Sequence, residues 1–251
     1  MENRICAVVL AAGKGKRLRT EGCDLPKVMR EALGRPLLSY VLDAISFIGR
    51  ENINIVVGYR KEKVTEAFGG YTFSVQEQQL GTGHAVTCAR PFLEERGGSV
   101  LLCYGDMPLL SEETYRDLIR THFEKKNDCT LLTGTSNEDL PYGRIVRGED
   151  GGFLEVVEDK DCTPEQKKIR ELNVGVYVFN TALLLDSLSG LKNGNAQGEY
   201  YITDVPSLLR RKGAKIGLCT RNLGSEIIGI NTPEQLRQVE NLLSLKKGAE
   251  K

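Results

Sequence analysis

The sequence predicts an α/β fold: a mostly parallel sheet with helices on both faces and a small antiparallel lobe. Three observations carry that prediction. Apolar runs at 5–10 and 100–104, and a third at 53–57 interrupted only by Asn54, alternate with amphipathic stretches of helical period. Such runs suit strands buried on both faces of a parallel sheet. Two of them end directly in glycine-containing loops, Ala11-Ala12-Gly13-Lys14-Gly15 and Gly105-Asp106, as strand–loop–helix units do. After about Leu140 the rhythm changes to shorter apolar segments separated by glycines and by the charged stretch 158–168.

The elements follow in order. Ile5–Leu10 is a buried strand. Pro36–Ile48 places Leu37, Leu38, Val41, Leu42 and Ile45 on one helical face. Ile53–Val57 and Thr72–Val75 are the next strands, and Gly83–Leu93 reads as one helix. Val100–Tyr104 is a strand, followed by a helix with Ser111 as N-cap, and Thr130–Thr133 continues the sheet. Ile145–Arg147, Phe153–Val157 and Val174–Phe179 are expected to form the antiparallel lobe laid over the sheet. Thr203–Arg211 reads as helix and Ile227–Ile230 as a final strand. Thr232–Leu245 reads as a closing helix with Pro233 in its first turn. No internal repeat or low-complexity segment is present.

Composition narrows the function classes. The 251 residues suffice for one large domain, or a domain with a small appendage. Lys+Arg and Asp+Glu stand at 34 each, so nothing points to nucleic acid or an anionic membrane as partner. An anionic ligand must then be held by a local cluster of positive groups. The seven cysteines are scattered and lack C-x-x-C spacing, which fits buried thiols in a reducing cytoplasm. The N-terminal apolar run is too short to span a membrane and leads into glycine rather than a cleavage site. A cytoplasmic protein is expected.

The first loop carries Gly13, Gly15, Lys14, Lys16 and Arg17. Glycines let backbone N–H groups converge on an anion, and the adjoining cations strengthen the site. The loop is neither a Walker A motif nor a dinucleotide fingerprint, and a tight turn with solvated basic residues is the alternative. Lys27, after the stiff Leu25-Pro26 pair, can reach phosphates at that loop, or it is a surface lysine. Asp106 ends an apolar strand beside a glycine. It suits a Mg²⁺ ion shared with a substrate phosphate better than a helix cap, a role Ser111 fills. Gln76–His84 is an amide-rich turn able to match the polar edge of a base. His84 is either a catalytic base or a structural histidine at a helix N-terminus, and no sequence partner supports the first. With only two histidines, His84 and His122, and no nucleophile elbow, the chain suits a transfer run by positioning and cations.

Together these segments resemble the uridyltransferase half of the bacterial bifunctional N-acetylglucosamine-1-phosphate uridyltransferase/glucosamine-1-phosphate acetyltransferase. The stretches that carry the resemblance run from 10–15 (Leu-Ala-Ala-Gly-Lys-Gly) and Leu25-Pro26-Lys27 to Glu77 with Gln79–His84 (Gln-Leu-Gly-Thr-Gly-His). They continue through Tyr104-Gly105-Asp106, Tyr142-Gly143-Arg144-Ile145, Val157-Glu158 and Asn195–Asp204, in order over nearly the whole chain. The glycine loop and Asp106 belong to sugar nucleotidyltransferases at large; the 79–84 and 197–201 blocks are narrower.

The resemblance implies a Rossmann-like nucleotide-diphospho-sugar transferase fold. It implies a catalytic domain at 1–230, with a sugar-binding lobe at about 140–200, and a C-terminal helix and tail at 231–251. It implies UTP and N-acetylglucosamine-1-phosphate as substrates and Mg²⁺ as cofactor. The Leu10, Ala11, Ala12 and Gly13 backbone and Lys14 would bind the nucleotide, with Arg17 and Lys27 as the catalytic cations. Gln76, Gly81 and Thr82 would read uracil. Tyr104, Gly105, Gly143, Glu158 and Asn173 would line the amino-sugar site, with Tyr201 a further contact. Asp106 and Asn231 would hold Mg²⁺. Lys16 replaces a small hydroxyl residue of the family loop, and Gly22-Cys23 are additional. The family's acetyltransferase β-helix is absent, so a monomer or weak oligomer is expected. Two readings stay open beside this one: a related transferase using glucose-1-phosphate with UTP or dTTP, and a silent nucleotide-sugar sensor. The presence of Lys27, Asp106 and Asn231 argues against the sensor.

Overall fold

A computed structural model describes residues 4–15, 18, 24–136 and 140–249. The chain begins with β1 (Ile5–Leu10), a small hairpin of β2 (Glu31–Ala32) and β3 (Arg35–Pro36), and α1 (Leu37–Ala44). Next come β4 (Ile53–Val57), α2 (Lys61–Ala67), β5 (Thr72–Val75), α3 (Thr82–Cys88), α4 (Arg90–Arg96), β6 (Ser99–Tyr104), α5 (Glu112–Glu124) and β7 (Cys129–Thr135). The second half comprises β8 (Arg144–Arg147), β9 (Phe153–Val157), β10 (Glu171–Asn180), α6 (Thr181–Leu188), α7 (Val205–Arg211), β11 (Ile216–Arg221) and α8 (Pro233–Ala249).

The main sheet runs β11-β7-β10-β6-β1-β4-β5. All its pairings are parallel except those of β10, which lies antiparallel between β6 and β7. Alternation along each strand feeds two cores. Ala7, Val9, Leu101 and Cys103 join one, and Cys6, Val8, Val100 and Leu102 the other. This is why the strands read as unbroken apolar runs. Burying one such Leu contributes about 1.5–3 kcal/mol, so register is strongly fixed.

That register sets the site. Leu10 pairs with Tyr104 and with Val56, and Val57 pairs with Val75. The loops after β1, β5 and β6 therefore leave from one edge of the sheet. Because β10 is antiparallel, its beginning, around Asn173, meets the end of β6 at that same edge.

Several boundaries differ from expectation. The helix expected over 36–48 stops at Ala44 and gives way to a 3₁₀ turn at 46–48, ahead of Gly49 in the left-handed region. The helix expected over 83–93 is two helices broken at Ala89, with Pro91 in the first turn of α4, where its missing N–H is tolerated. Thr203 lies in a 3₁₀ turn, 202–204, that precedes α7. Val174–Phe179 is not a lobe strand: it is the body of β10 in the centre of the sheet. Only β8 and β9 form the antiparallel branch. Ile227–Ile230 is not a strand either. It includes the end of a 3₁₀ turn (224–227) and crosses the sheet edge, where the Ile230 N–H donates to the Asp106 carbonyl at 3.2 Å. The last strand of the chain is β11, at one edge of the sheet. Ser111 caps α5, accepting from the Thr114 N–H at 3.3 Å. The closing helix α8 buries Val239 and Leu243 against Ala32, Leu37 and Leu109.

Candidate active site

Two cavities open along the carboxyl edge of the sheet and share a wall. The first, about 310 Å³, is lined by Leu10 at the end of β1, by Ala11, Ala12 and Gly13 from the loop after it, by Lys27, by Gln76 and Gly81 from the turn before α3, and by Thr82 at the start of that helix. The second, about 170 Å³, is lined by Tyr142, Gly143, Glu158, Asn173 and Thr203 from the β8, β9 and β10 ends and the 202–204 turn. Tyr104 and Asp106 line both.

At the shared wall three side chains converge. The Lys27 ammonium donates to the Asp106 carboxylate and to Asn231 Oδ1 at 2.9 Å. Lys27 sits at the start of a 3₁₀ turn behind Pro26, Asp106 just beyond β6, and Asn231 just ahead of α8. Side-chain exposures of 15% for Lys27 and 18% for Asp106 exclude the solvated surface lysine. The ammonium marks a place where a cation is held by one carboxylate and one amide oxygen. That pair of hard donors fits Mg²⁺, which takes few protein oxygens and completes its shell with water and phosphate. Among the described residues no cluster of three or more His, Cys, Asp or Glu offers a richer metal site.

The turn before α3 is braced by a distant segment. Tyr200 pairs with it through both backbone groups, Tyr200 N–H to Leu80 O at 2.9 Å and Gly83 N–H to Tyr200 O at 2.7 Å. Gly81 has φ +109°, and a Cβ there would lie 2.6 Å from Tyr200 O; only glycine fits. The Thr82 hydroxyl accepts from the Ile202 N–H at 3.0 Å.

In the second cavity Glu158 accepts from the Thr203 hydroxyl at 2.9 Å. Burial holds its carboxyl above the ordinary range, and the Thr203 hydrogen bond works in the opposite direction. Burial likewise raises the Tyr104 hydroxyl, and lifts Tyr142 to about 12. Tyr142 donates to Ile227 O at 2.6 Å and accepts from the Gly229 N–H at 2.9 Å, tying the strap that carries Asn231 to this cavity.

Not every expected residue lines a cavity. Lys14 lies with its ammonium 6.0 Å from the Tyr59 ring centroid. Gly105 sits behind the wall, its N–H donating to Leu10 O at 3.0 Å. Asn173 reaches the second cavity but is partly engaged within β10, donating to the Tyr177 hydroxyl at 2.7 Å and accepting from the Gly175 N–H at 3.2 Å. Arg17 falls outside the described residues, as do Lys16, Gly22 and Cys23. No described helix is long and apolar enough to cross a membrane.

Residues 6–223 match the family model described as Nucleotidyl transferase. The chain belongs to the nucleotidyl transferase family. Among curated relatives, the Bifunctional protein GlmU of Clostridium beijerinckii is 43% identical over 240 residues, which cover 95% of this chain and 52% of that protein. The same-named proteins of Clostridium novyi and Clostridium perfringens are 43% and 40% identical, at 96% and 95% of this chain and 52% of each relative. The chain thus spans about half the length of the curated relatives it matches. A crystal structure described as a glucose-1-phosphate thymidylyltransferase from Bacillus anthracis, in complex with a sucrose, superposes with TM-score 0.72 at 17% identity. It covers 95% of this chain and 94% of that one, a likeness of fold.

Within this nucleotidyl transferase three site residues escaped the sequence reading. Thr203 and Tyr142 act through partners 45 and 85 positions away, which no local pattern reveals. Gly175 did leave a signal, a lone glycine inside an apolar strand. It has φ +84°, sits where the β10–β7 register shifts, and a Cβ there would lie 2.6 Å from the Tyr104 ring.

Proposed function

We propose that this nucleotidyl transferase transfers UMP from UTP to N-acetylglucosamine-1-phosphate, giving UDP-N-acetylglucosamine and pyrophosphate with Mg²⁺, in the cytoplasm. The observation that carries the reading is the pair of cavities meeting at Tyr104 and Asp106, with Lys27 and Asn231 gathered at the junction. A reaction joining a nucleotide to a sugar phosphate needs two binding spaces whose phosphates meet at one cationic point.

In this reading the 10–13 backbone carries the nucleotide and Gln76, Gly81 and Thr82 read the base. Tyr104, Gly143, Glu158 and Asn173 hold the amino sugar. A phosphate oxygen of the sugar phosphate attacks the α-phosphorus of UTP in line. The bond between that phosphorus and the bridging oxygen to the β-phosphate breaks, and pyrophosphate leaves. The attacking oxygen is already ionised, so no general base is required, in keeping with the absence of a histidine at the junction. Lys27 neutralises charge on the phosphates, assisted by Lys14 and Arg17 from the loop. Asp106 and Asn231 would hold Mg²⁺, which when bound supplies charge neutralisation at the phosphates.

Pyrophosphate release from UTP plus N-acetylglucosamine-1-phosphate, with and without Mg²⁺, tests the reading. The expected result is metal-dependent release with this pair above dTTP or glucose-1-phosphate. Exclusive use of dTTP overturns the base assignment, and binding of UDP-N-acetylglucosamine without any turnover overturns the activity.

A further inference from the structure

His84 stands beside the base-reading turn without a place in the transfer chemistry. It lies in the first turn of α3 and lines a separate cavity of about 260 Å³, between Leu80, Leu188, Leu191 and Tyr200, rather than the nucleotide cleft. Its Nδ1, however, lies 3.2 Å from Gln76 Nε2.

The protonation pattern there follows from one obligate acceptor. Gln76 is 3% exposed, and its Nε2 lies 2.9 Å from the Gly81 carbonyl oxygen. A carbonyl only accepts, so the NH₂ end of the Gln76 amide must face Gly81. That carbonyl cannot swing away. It also accepts the Ala85 N–H of α3 at 3.1 Å, and Tyr200 pins the turn on both sides. The second N–H of the same amide points at His84 Nδ1, which must therefore be the unprotonated nitrogen, leaving the proton on Nε2. With both N–H groups committed, the oxygen, an acceptor only, is the one polar atom of the Gln76 amide left to meet a ligand in the cleft that Gln76 lines.

We propose that His84 is a positioning residue for base selection: it accepts the second Gln76 N–H and so locks the amide with its oxygen toward the base. The consequence deepens the uridyl transfer proposed above and rests on it. An acceptor in that place pairs with the imino N–H of uracil. It opposes the ring nitrogen of cytosine, which is itself an acceptor, and leaves two buried acceptors facing each other. Without His84 the amide retains one anchor and loses the other. The pyrimidine contact then weakens, while the sugar phosphate, held in the other cavity, is unaffected.

The experiment has a spectroscopic and a kinetic arm. The chain contains two histidines, so long-range ¹H–¹⁵N correlation of the imidazoles, assigned with His122→Gln, reads the His84 tautomer directly. The expected state is Nε2–H with Nδ1 unprotonated, lost in Gln76→Ala. In kinetics, His84→Leu is expected to raise KM for UTP about five- to tenfold and narrow the preference for UTP over CTP. KM for N-acetylglucosamine-1-phosphate should stay unchanged. His84→Asn, whose amide oxygen replaces Nδ1 as acceptor, should recover UTP binding to within about threefold. Gln76→Ala with His84→Leu should be no worse than Gln76→Ala alone, since the two act as a unit.

An Nδ1–H tautomer, additive losses in the double variant, or equal rises in both KM values overturn the positioning role. A His84→Leu enzyme with unchanged KM for UTP overturns it alone, leaving uridyl transfer intact. A wild-type enzyme that ignores UTP overturns the uridyl reading and the base assignment with it.

Discussion

The two cavities at the sheet edge are built by different means. The larger cleft sets main chain and small residues, Leu10 to Gly13 and Gly81 to Thr82, beside a few polar side chains such as Gln76 and Lys27, at the aligned ends of parallel strands. The smaller cavity is walled by polar side chains, the buried Asn173 and Thr203 and the half-buried Glu158 and Tyr142, brought from four separate stretches of chain. Backbone recognition suits a phosphate chain and tolerates side-chain change. Side-chain recognition suits a sugar, whose hydroxyls must be matched one by one, and is lost by single substitutions. The two meet at Asp106, with Lys27 on the side of the first and Asn231 on the side of the second.

The contrast can be broken hardest at the junction. Asp106→Ala is expected to lower turnover about 10²–10³-fold while circular dichroism shows an intact fold, and near-normal Mg²⁺-supported turnover would remove Asp106 as principal ligand. Next in size, Gly175→Ala puts a methyl into the Tyr104 ring at a positive φ. A cost of about 1–3 kcal/mol in denaturant unfolding is expected, with a rise in KM for the sugar phosphate exceeding that for UTP. Equal rises would mean that Tyr104 does not divide the two cavities.

A finer separation comes from Thr203→Val, which removes the hydrogen bond to Glu158. KM for the sugar phosphate should rise about three- to tenfold with KM for UTP unchanged. Burial raises the Glu158 carboxyl and Thr203 lowers it, so the variant's carboxyl is raised further. Ionised Glu158 is lost as pH falls, and the acid limb of sugar-phosphate binding should therefore move to higher pH in the variant. An unmoved limb would exclude Glu158 as the titrating group.

The least effect on either substrate belongs to a group outside both cavities. Burial lowers the His122 imidazole from 6.5 to about 4, so the neutral form is favoured in the fold. The stability it contributes is present above pH 6.5 and is lost progressively as pH falls toward about 4. His122→Gln should flatten unfolding free energy over that interval without changing KM for either substrate. An unchanged slope would contradict this.

The same contrast explains what the sequence disclosed. The glycine loop follows a strand immediately, and Asp106 closes an apolar run, so both declare themselves locally. The central strands β1, β4 and β6 are mainly apolar because each faces two cores, and they were legible to within a residue. The second cavity depends on tertiary placement. β10 read as a lobe strand because Asn173 and Gly175 interrupt its apolar run, and those interruptions are the bulge that shapes the site. β11 went unseen because Gly217 and Thr220 dilute its apolar character. Ile227 and Ile230 read as strand because they are apolar, yet they are buried by crossing the sheet edge, held there by Tyr142 and the Asp106 carbonyl. Asn231 reaches Lys27 across 204 positions. Only the family resemblance paired it with Asp106.

The central claim is that one cationic junction joins a nucleotide space to a sugar space. A crystal structure with UDP-N-acetylglucosamine and Mg²⁺ tests it most directly. The expected result places the pyrimidine against Gln76, the amino sugar against Glu158 and Asn173, and the diphosphate across Lys27, Asp106 and Asn231. A product bound with both halves in one cavity, or with its diphosphate away from Asp106, would contradict it.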